Sequence, residues 1–229
     1  MYPLPVLCQV GKWKGAPCEE MVINTEWGNL DTANFMNLAD ATVDAGSANP
    51  GLQRFEKMIS GLYIGELIRV SVLQPEVLQG FSDGFAASLA SKFGGRLSLP
   101  TALSAKIEED SSPGLGATAK ALSEAGLGAS TERDRVLLRE ACVCVSTRAA
   151  RLSAVGIVAL LEQMGPQQAG KSTVAVDGTV FERYPYFKER MEFGVELLLG
   201  RKKARDLDLI LAKDGSGVGA AIIAAISAS

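Results

Sequence analysis

Residues 207–221 read LDLILAKDGSGVGAA, an apolar strand, a glycine-rich turn and the start of an apolar helix. Residues 172–179, STVAVDGT, repeat the order of strand, aspartate, glycine and hydroxyl. The pattern of residues 185–200 predicts a helix between these two strands. Strands that alternate with helices are typical of α/β folds. The sequence therefore predicts an α/β architecture in which two turns follow strands and border one cleft.

Glycine turns between a strand and a helix expose backbone N–H groups at the positive end of the helix, where a phosphate can approach closely. The spacing of Gly215, Gly217 and Gly219 is not that of a dinucleotide-binding fingerprint, and no Lys-Ser or Lys-Thr pair follows as in a Walker loop. Close packing of the helix on its strand is an alternative reason for the glycines. Because the second turn at Asp177 has the same form, we favour a nucleotide site.

The remaining chain shows no internal repeat. In its first half, the predicted elements are an irregular lead-in over residues 1–20, a strand at Met21–Trp27 followed by a turn, and an amphipathic helix from Leu52 to about Leu73. Residues 76–130 are poorly periodic, and only Leu103–Asp110 is predicted to form one or two helical turns there. The second half is predicted to contain a helix from Thr131 to Met164 with a break near Val143–Thr147, a turn and strand at Gly178–Arg183, and a helix at Gly217–Ile226.

The composition excludes several classes of function. The 23 basic and 26 acidic residues leave a net charge of −3, so nucleic acid is not an expected partner. The chain contains no histidine, which excludes Ser-His and Cys-His dyads and imidazole metal ligands. A general base must therefore be a carboxylate, a lysine, a cysteine or a tyrosine.

The four cysteines are too few for a disulfide scaffold in 229 residues and indicate a reducing compartment. Cys142 and Cys144 lie two apart in a predicted helix and point to different faces, so we favour packing over zinc binding. No apolar run reaches the length of about 18 residues that suits a membrane span, and residues 1–10 do not resemble a signal peptide. We expect a soluble, cytoplasmic protein without a membrane segment.

Charged side chains mark further candidate sites. Glu26 follows an apolar run beside a tryptophan and Glu56 lies in a predicted helix; paired carboxylates in a cleft suit the hydroxyls of a polyol. The alternative for Glu56 is an ordinary exposed helix carboxylate. Arg148 and Arg151 share a helix face and could meet phosphate, although structural ion pairs are favoured. Residues 201–205, RKKAR, are interpreted as a solvated run after a helix end.

Five segments together resemble the C-terminal part of the eukaryotic ATP-dependent hexokinase family. They occur in family order and span the chain from about residue 12 onwards, and the lead-in KWKG at 12–15 is most similar to the plant and algal branch. The segments are MVINTEWGN at 21–29, PGLQRFEKMISGLYIGE at 50–66, STRAARL at 146–152, VDGT at 176–179 with YPYF at 184–187, and DGSGVGAA at 214–221.

The resemblance implies an actin-like ATPase, ribonuclease H-like fold, present here in part as the large-lobe, C-terminal half of a hexokinase. Residues 21–229 would form this large-lobe domain, incomplete on its N-terminal side, after the lead-in of residues 1–20. A hexose such as glucose would lie in the cleft between two lobes, with ATP and Mg²⁺ on the larger one. The resemblance leaves association with a plastid or an organelle outer membrane open.

The family's binding residues transfer to matching positions of this sequence. The glutamates of the EWG and RFEKM motifs, Glu26 and Glu56, would bind hexose hydroxyls. No protein ligand for the metal is implied in this chain. The nucleotide-binding positions would be Gly61 of the ISG motif, Thr101, Gly178 and Thr179 of the VDGT turn, and Gly215 and Gly217 of the GSG turn.

Four segments that the family uses for catalysis have no match here. They are the aspartate of an N-D-T segment that takes the proton from the 6-hydroxyl, an LDLGGTN phosphate hairpin, a GTG phosphate turn and a lysine-bearing sugar segment. Position 105 is Ala where many relatives have a hydroxyl, and Tyr184 replaces a frequent histidine. We therefore expect a hexokinase-type phosphotransferase that lacks turnover as this chain alone, with the N-terminal lobe as a partner. The alternative is a non-catalytic sugar or nucleotide sensor.

Overall fold

The computed structural model describes residues 2–3, 20–21, 25–164 and 171–227. Its strands are β1 (Tyr2–Pro3), β2 (Glu20–Met21), β3 (Ser172–Val176) and β4 (Leu207–Leu211). Its helices are α1 (Leu38–Ala45), α2 (Arg54–Ile59), α3 (Gly61–Val72), α4 (Pro75–Leu78), α5 (Asp83–Lys92), α6 (Thr101–Glu109), α7 (Gly116–Glu124), α8 (Glu132–Met164), α9 (Thr179–Arg183), α10 (Phe187–Leu199), α11 (Arg201–Ala204) and α12 (Gly215–Ser227), with short 3₁₀ turns at Trp27–Asn29 and Pro113–Leu115.

The predicted α/β unit is confirmed in its main elements. Strands β3 and β4 pair in parallel from Ser172 opposite Leu207 to Val176 opposite Leu211, with α10 between them in the chain. The ladder continues one residue further, because the Ala212 amide donates to the Val176 carbonyl at 2.9 Å. Both strands therefore end at the same sheet edge, and both glycine turns leave from it.

Helix α8 forms the centre of the core. It begins after Thr131, whose hydroxyl accepts from the Asp134 amide at 3.1 Å while the Asp134 carboxylate accepts from the Thr131 amide at 2.8 Å, a reciprocal cap. The helix packs against α3, α6 and α10. The predicted break near residues 143–147 is wrong, because α8 is one continuous helix. Its buried face extends across this region, from Cys142 to Ala149 and Ala154.

Among the described residues, α8 is the one helix whose length and apolar composition would suit a membrane span. An 18-residue window within Glu132–Gln163 has a mean hydropathy of 1.5, and 44% of that window is buried inside the protein. The buried face carries small and branched side chains such as Ala150 and Ile157 that belong to the main core cluster. This core face accounts for the apolar composition of α8.

The helix predicted from Leu52 to Leu73 is two helices. Ser60 adopts an extended conformation (φ −80°, ψ 149°) between α2 and α3. The predicted apolar stripe is correspondingly only partly buried: Phe55 and Leu67 lie in the interior, but Leu52 is exposed. Contacts distant in sequence stabilise this break, and they involve the candidate site.

One further prediction of secondary structure is wrong, and another falls partly outside the described residues. Residues 178–183 do not form a second strand, because Thr179–Arg183 is the short helix α9 with Phe181 buried against the core. Of the predicted strand at Met21–Trp27, Met21 lies in β2, Thr25 and Glu26 are outside any strand, and Trp27 begins a 3₁₀ turn; residues 22–24 lie outside the described ranges. Residues 76–130 are more helical than predicted and contain α4 to α7.

Apolar side chains remain uncovered around β4 and α12. Ile210 of β4 is 48% exposed. On α12, Ile222, Ile223 and Ile226 are 54%, 67% and 69% exposed. Parallel strands are normally covered on both faces, and exposed apolar faces are typical of surfaces that take part in interactions.

Candidate active site

A cleft of about 580 Å³ opens at the carboxyl end of β3. We call it the strand-end cleft. Its walls come from five parts of the fold: the end of β3 with the following turn and α9, the break between α2 and α3, the middle of α8, the first half of α10, and the 3₁₀ turn at Trp27. The structure thus places the cleft where parallel-sheet proteins bind ligands.

Two contacts join the turns that follow β3 and β4. The Gly215 amide donates to Asp177 Oδ2 at 3.0 Å. Lys213 Nζ lies 2.8 Å from Glu182 Oε1 on α9. The turn after β4 is therefore fastened to the turn after β3, and it is the turn after β3 that lines the strand-end cleft.

The predicted nucleotide residues separate into two groups by position. Gly61, Gly178 and Thr179 line the strand-end cleft directly. Gly215 reaches it through the hydrogen bond to Asp177, which is itself a lining residue. Apart from its chain neighbours, no atom lies within 4 Å of where a side chain would start at Gly178, so the space beside this residue is unfilled.

Thr101 does not line the strand-end cleft, but it holds a residue that does. Its hydroxyl donates to the Gly61 carbonyl at 2.6 Å and accepts from the Gly65 amide at 3.0 Å. On the other side, a Cβ added at Gly61 would lie 2.5 Å from Val180 Cγ2. Gly61 is thus held between α6 and α9, which stabilises the break at Ser60.

Gly217 is also outside the lining of the cleft. A Cβ at this position would come within 2.5 Å of Asp214 Oδ1. Asp214 has a positive φ of 53° and directly precedes α12. The absence of a side chain at Gly217 therefore leaves room for the Asp214 carboxylate at the start of the helix.

A second cavity of about 400 Å³ adjoins the first, and we call it the carboxylate pocket. Both predicted hexose-binding residues, Glu26 and Glu56, line it. Its other lining residues are Thr25, Trp27, Gly28, Gln53 and Ile59. Trp27, Glu56 and Ile59 line both cavities, so the two cavities share a wall.

The backbone around Trp27 brings the first glutamate into this pocket. Glu26 has a positive φ of 46° and precedes the 3₁₀ turn, and its carbonyl accepts from the Asn29 amide at 3.0 Å. The Trp27 ring packs against Phe55 with centroids 6.1 Å apart. A Cβ at Gly156 of α8 would overlap the Trp27 ring, so glycine is required there.

Sequence reasoning missed Gln53. Its side chain lines the carboxylate pocket beside both glutamates, and its amide donates to Asn29 Oδ1 at 3.0 Å. Gln53 has a positive φ of 50° and immediately precedes α2. Its position three residues before Glu56, hence one helical turn away, was the available signal.

Buried tyrosine and cysteine side chains are poor candidates for a general base. Burial, followed by the nearby negative charge of Glu108, raises the pKa of Cys142 above its ordinary value. Burial likewise is the largest cause that raises the pKa of Tyr184. Cys144, the other cysteine of the predicted helix pair, is exposed on another face. Cys8 and Cys18 lie outside the described residues.

The basic side chains singled out in the sequence have structural partners. Arg148 donates from both terminal nitrogens to the Asp40 carboxylate, at 2.8 and 2.7 Å. Arg151 lies over the Phe193 ring at 5.5 Å. Arg201, at the start of the exposed basic run, pairs with Glu196 at 2.6 Å. Within the described ranges, no three carboxylate or cysteine side chains cluster as a metal site.

Comparison with known proteins identifies relatives over nearly the whole chain. Residues 5–226 match the family model described as hexokinase. Hexokinase-1 of Oryza sativa subsp. japonica is 39% identical over 217 residues, which cover 90% of this chain and 42% of the rice protein. Hexokinase-2 of Arabidopsis thaliana is 35% identical over 226 residues, covering 94% of this chain and 44% of the relative.

Solved structures agree with these relatives. The hexokinase of Schistosoma mansoni complexed with glucose superposes with a TM-score of 0.80 at 32% identity, covering 96% of this chain and 49% of that one. A second hexokinase crystal structure has a TM-score of 0.72 and 30% identity. The chain spans less than half the length of the relatives it matches. It belongs to the hexokinase family and has part of the actin-like ATPase fold of that family.

Proposed function

We propose that this chain supplies the hexose-binding and nucleotide-binding surfaces of an ATP-dependent hexokinase. The reaction is transfer of a phosphoryl group from ATP to the 6-hydroxyl of glucose or a related hexose. The observation that carries the proposal is the shared wall of the two cavities, in which Glu56 borders both the carboxylate pocket and the strand-end cleft. Phosphoryl transfer depends mainly on positioning donor and acceptor side by side, which such a pair of sites provides.

The hexose occupies the carboxylate pocket in this proposal. Glu26 and Glu56 accept hydrogen bonds from sugar hydroxyls, and carboxylate acceptors bind hydroxyl groups more strongly than neutral ones. Gln53, which lines the same pocket, offers both a donor and an acceptor. The Schistosoma mansoni hexokinase, which superposes on this chain, is complexed with glucose, and this supports the choice of ligand.

The nucleotide occupies the strand-end cleft. The unfilled space beside Gly178 and the volume of about 580 Å³ fit a ligand that approaches main-chain amides closely. Gly61 and Thr179 contact it directly, while Thr101, Gly215 and Gly217 hold the surrounding backbone. Mg²⁺ bound to the phosphates of ATP would neutralise charge during transfer; we assign it no protein ligand among the described residues.

The catalytic base and the phosphate hairpin come from a further polypeptide portion, the N-terminal lobe. Two observations support this partner. The relatives are more than twice as long as the matched region, and apolar side chains of β4 and α12 are uncovered. This lobe covers those side chains and closes the two cavities from the opposite side.

A coupled assay of glucose-dependent ADP release tests the proposal. The 229-residue chain is measured alone and after fusion behind the portion of rice Hexokinase-1 that precedes the matched region. We expect turnover only from the fusion, and we expect Glu56→Gln in the fusion to abolish it. An inactive but folded fusion, or turnover by the chain alone, would contradict the proposed division of labour.

A non-catalytic sensor that binds hexose or nucleotide is the second candidate. The predicted binding residues Glu26, Glu56 and Gly178 line cavities of this chain, while the four catalytic segments have no match in it, and this favours binding without turnover. Glucose binding by the chain together with an inactive fusion would support the sensor. The cytoplasmic location stays a prediction, and one rice relative is named chloroplastic.

A further inference from the structure

The loop between α1 and α2 is held by a buried ion pair that no binding role yet explains. Lys57 is 4% exposed, although it directly follows the exposed Glu56. Its ammonium donates to Asp44 Oδ1 at 2.7 Å, Ser47 Oγ at 2.8 Å and the Asn49 carbonyl at 2.8 Å. All three donors of the ammonium group are therefore used, one by Asp44 in the last turn of α1 and two by the loop that follows.

Asp44 extends the same cluster to the end of the loop. Both of its carboxylate oxygens accept from the Gly51 amide, at 3.1 and 3.0 Å, and Arg54 Nε lies 3.3 Å from Oδ2. Burial tends to raise the pKa of Asp44, but the hydrogen bonds from Lys57 and Gly51 and the charges of Lys57 and Arg54 outweigh it and lower the pKa. Asp44 is thus a charged anchor at neutral pH.

The anchored loop leads directly into the carboxylate pocket. Gly51 has a positive φ of 83° and Gln53 one of 50°, conformations that cost energy for Gln53 and persist only when surrounding contacts hold them. Gln53 and then Glu56 follow within five residues of Gly51, and both line the pocket. Because Lys57 and Glu56 are adjacent on α2, the contacts that fix Lys57 also fix the position of Glu56 in the pocket.

We infer that Asp44 and Lys57 are positioning residues of the carboxylate pocket, which hold Gln53 and Glu56 in the geometry that binds a hexose. The inference rests on the proposed hexose site. Neither side chain lines the pocket, so each acts through the loop that it fastens. Buried ion pairs often add little to the free energy of unfolding. Stabilisation of the fold alone therefore does not explain this pair, whereas positioning of the pocket does.

The test compares Asp44→Asn with a matched control, Glu66→Gln. Glu66 is also buried, pairs with Arg69 at 2.7 Å and accepts from the Leu97 amide at 2.7 Å, but it borders neither cavity. Two quantities are measured on the full chain. The first is amide hydrogen exchange of residues 51–56 without sugar, relative to residues 146–158 of α8, and the second is glucose affinity by calorimetry.

In Asp44→Asn, we expect exchange in residues 51–56 to accelerate about tenfold and glucose affinity to fall about tenfold, as loss of one buried charged hydrogen-bonding group implies. In Glu66→Gln, both quantities stay at the wild-type values even if overall stability falls. Unchanged exchange in residues 51–56 of Asp44→Asn, or equal effects in both variants, would overturn the inference.

One further variant and one further outcome separate failure of the inference from failure of folding and from failure of the proposed hexose site. If Asp44→Asn does not fold, Ser47→Ala removes one of the three Lys57 hydrogen bonds and is expected to produce the same changes at a smaller scale. If the wild-type chain binds no glucose while Asp44→Asn still loosens residues 51–56, the positioning of the pocket stands and the proposed hexose function fails.

Discussion

The Gly215 amide donates a hydrogen bond to Asp177 Oδ2 at 3.0 Å and so joins the two turns that end β3 and β4. The residues are 38 positions apart in the chain. The parallel register of the strands brings them together, since both strands end at the same edge. The attachment of the β4 turn to Asp177, a lining residue of the strand-end cleft, is therefore a product of sheet topology.

Replacing Asp177 with Ala should weaken nucleotide binding. The variant loses the acceptor that holds Gly215, at a cost of about 1 kcal/mol, or roughly fivefold in affinity. Titration with a fluorescent ATP analogue measures the change. Asp177→Asn, which keeps an acceptor oxygen, is the control and should bind nearly as the wild type does. If the Ala variant binds the analogue with the same affinity as the wild type, this hydrogen bond does not contribute to the nucleotide site.

Replacing Gly156 with Ala should destabilise the protein by about 1–3 kcal/mol, because the new methyl group overlaps the Trp27 ring and forces it to move. Urea unfolding measures the loss. Gly84→Ala is the control: Gly84 lies in α5 with no atom within 4 Å of an added Cβ, so this change should be neutral or stabilising. If Gly156→Ala leaves the free energy of unfolding unchanged, the Trp27 ring does not pack against α8 at this position.

Replacing Glu108 with Gln should cost about 3 kcal/mol, since it leaves Arg190 without its buried anion. Glu108 is 1% exposed, contacts Arg190 Nη1, and accepts from Ser146 Oγ at 2.8 Å and the Tyr184 hydroxyl at 3.0 Å. These contacts join α6, α8 and α10. Chemical denaturation checks the loss.

The matched control for Glu108 is the exposed pair of Glu196 with Arg201. Glu196→Gln should change stability by less than about 1 kcal/mol. A loss in Glu196→Gln as large as that in Glu108→Gln would show that burial does not decide the energy of these ion pairs.

Stability should decrease in acid partly through Asp110. Burial opposes its ionisation, but hydrogen bonds from Ser112 and Thr118 lower its pKa from 3.8 to about 2. A carboxyl whose folded pKa is lowered stabilises the protein above its unfolded pKa, and this contribution of up to about 2 kcal/mol disappears as the pH falls from about 4 to about 2.

Asp110→Asn checks this pH dependence. In urea unfolding at a series of pH values, the variant should be less stable than the wild type at neutral pH, and the difference should shrink below pH about 4 as Asp110 becomes protonated. A difference that stays constant with pH would contradict the assignment, because it would show that the charge of Asp110 contributes nothing.

The parts of the fold that follow from local pattern were predicted well. The strands β3 and β4, helix α10 and the Thr131 start of α8 each have their signal within a few residues. Residues 178–183 were mistaken for a strand because Val180 and Phe181 favour strands locally, whereas burial of Phe181 against the core stabilises a helical turn.

The parts that depend on distant contacts were not predictable from spacing. The break at Ser60 is stabilised by Thr101, which lies 40 residues beyond Gly61. The contact between the Trp27 ring and Gly156 of α8 likewise cannot be predicted from sequence spacing. For the carboxylate pocket, Glu26 and Glu56 were candidates from residue type and from the family resemblance, while the place of Gln53 beside them depends on α2 packing next to the turn at Trp27.

Calorimetric titration of the chain with glucose tests the central claim most directly, that Glu26 and Glu56 together form a hexose site. The wild type and the exposed-carboxylate control Glu76→Gln, on α4, should bind with the same affinity. Glu26→Gln and Glu56→Gln should each weaken binding at least about tenfold, as expected for loss of a charged hydrogen-bond acceptor. Glucose binding that both variants retain at full strength would contradict the account.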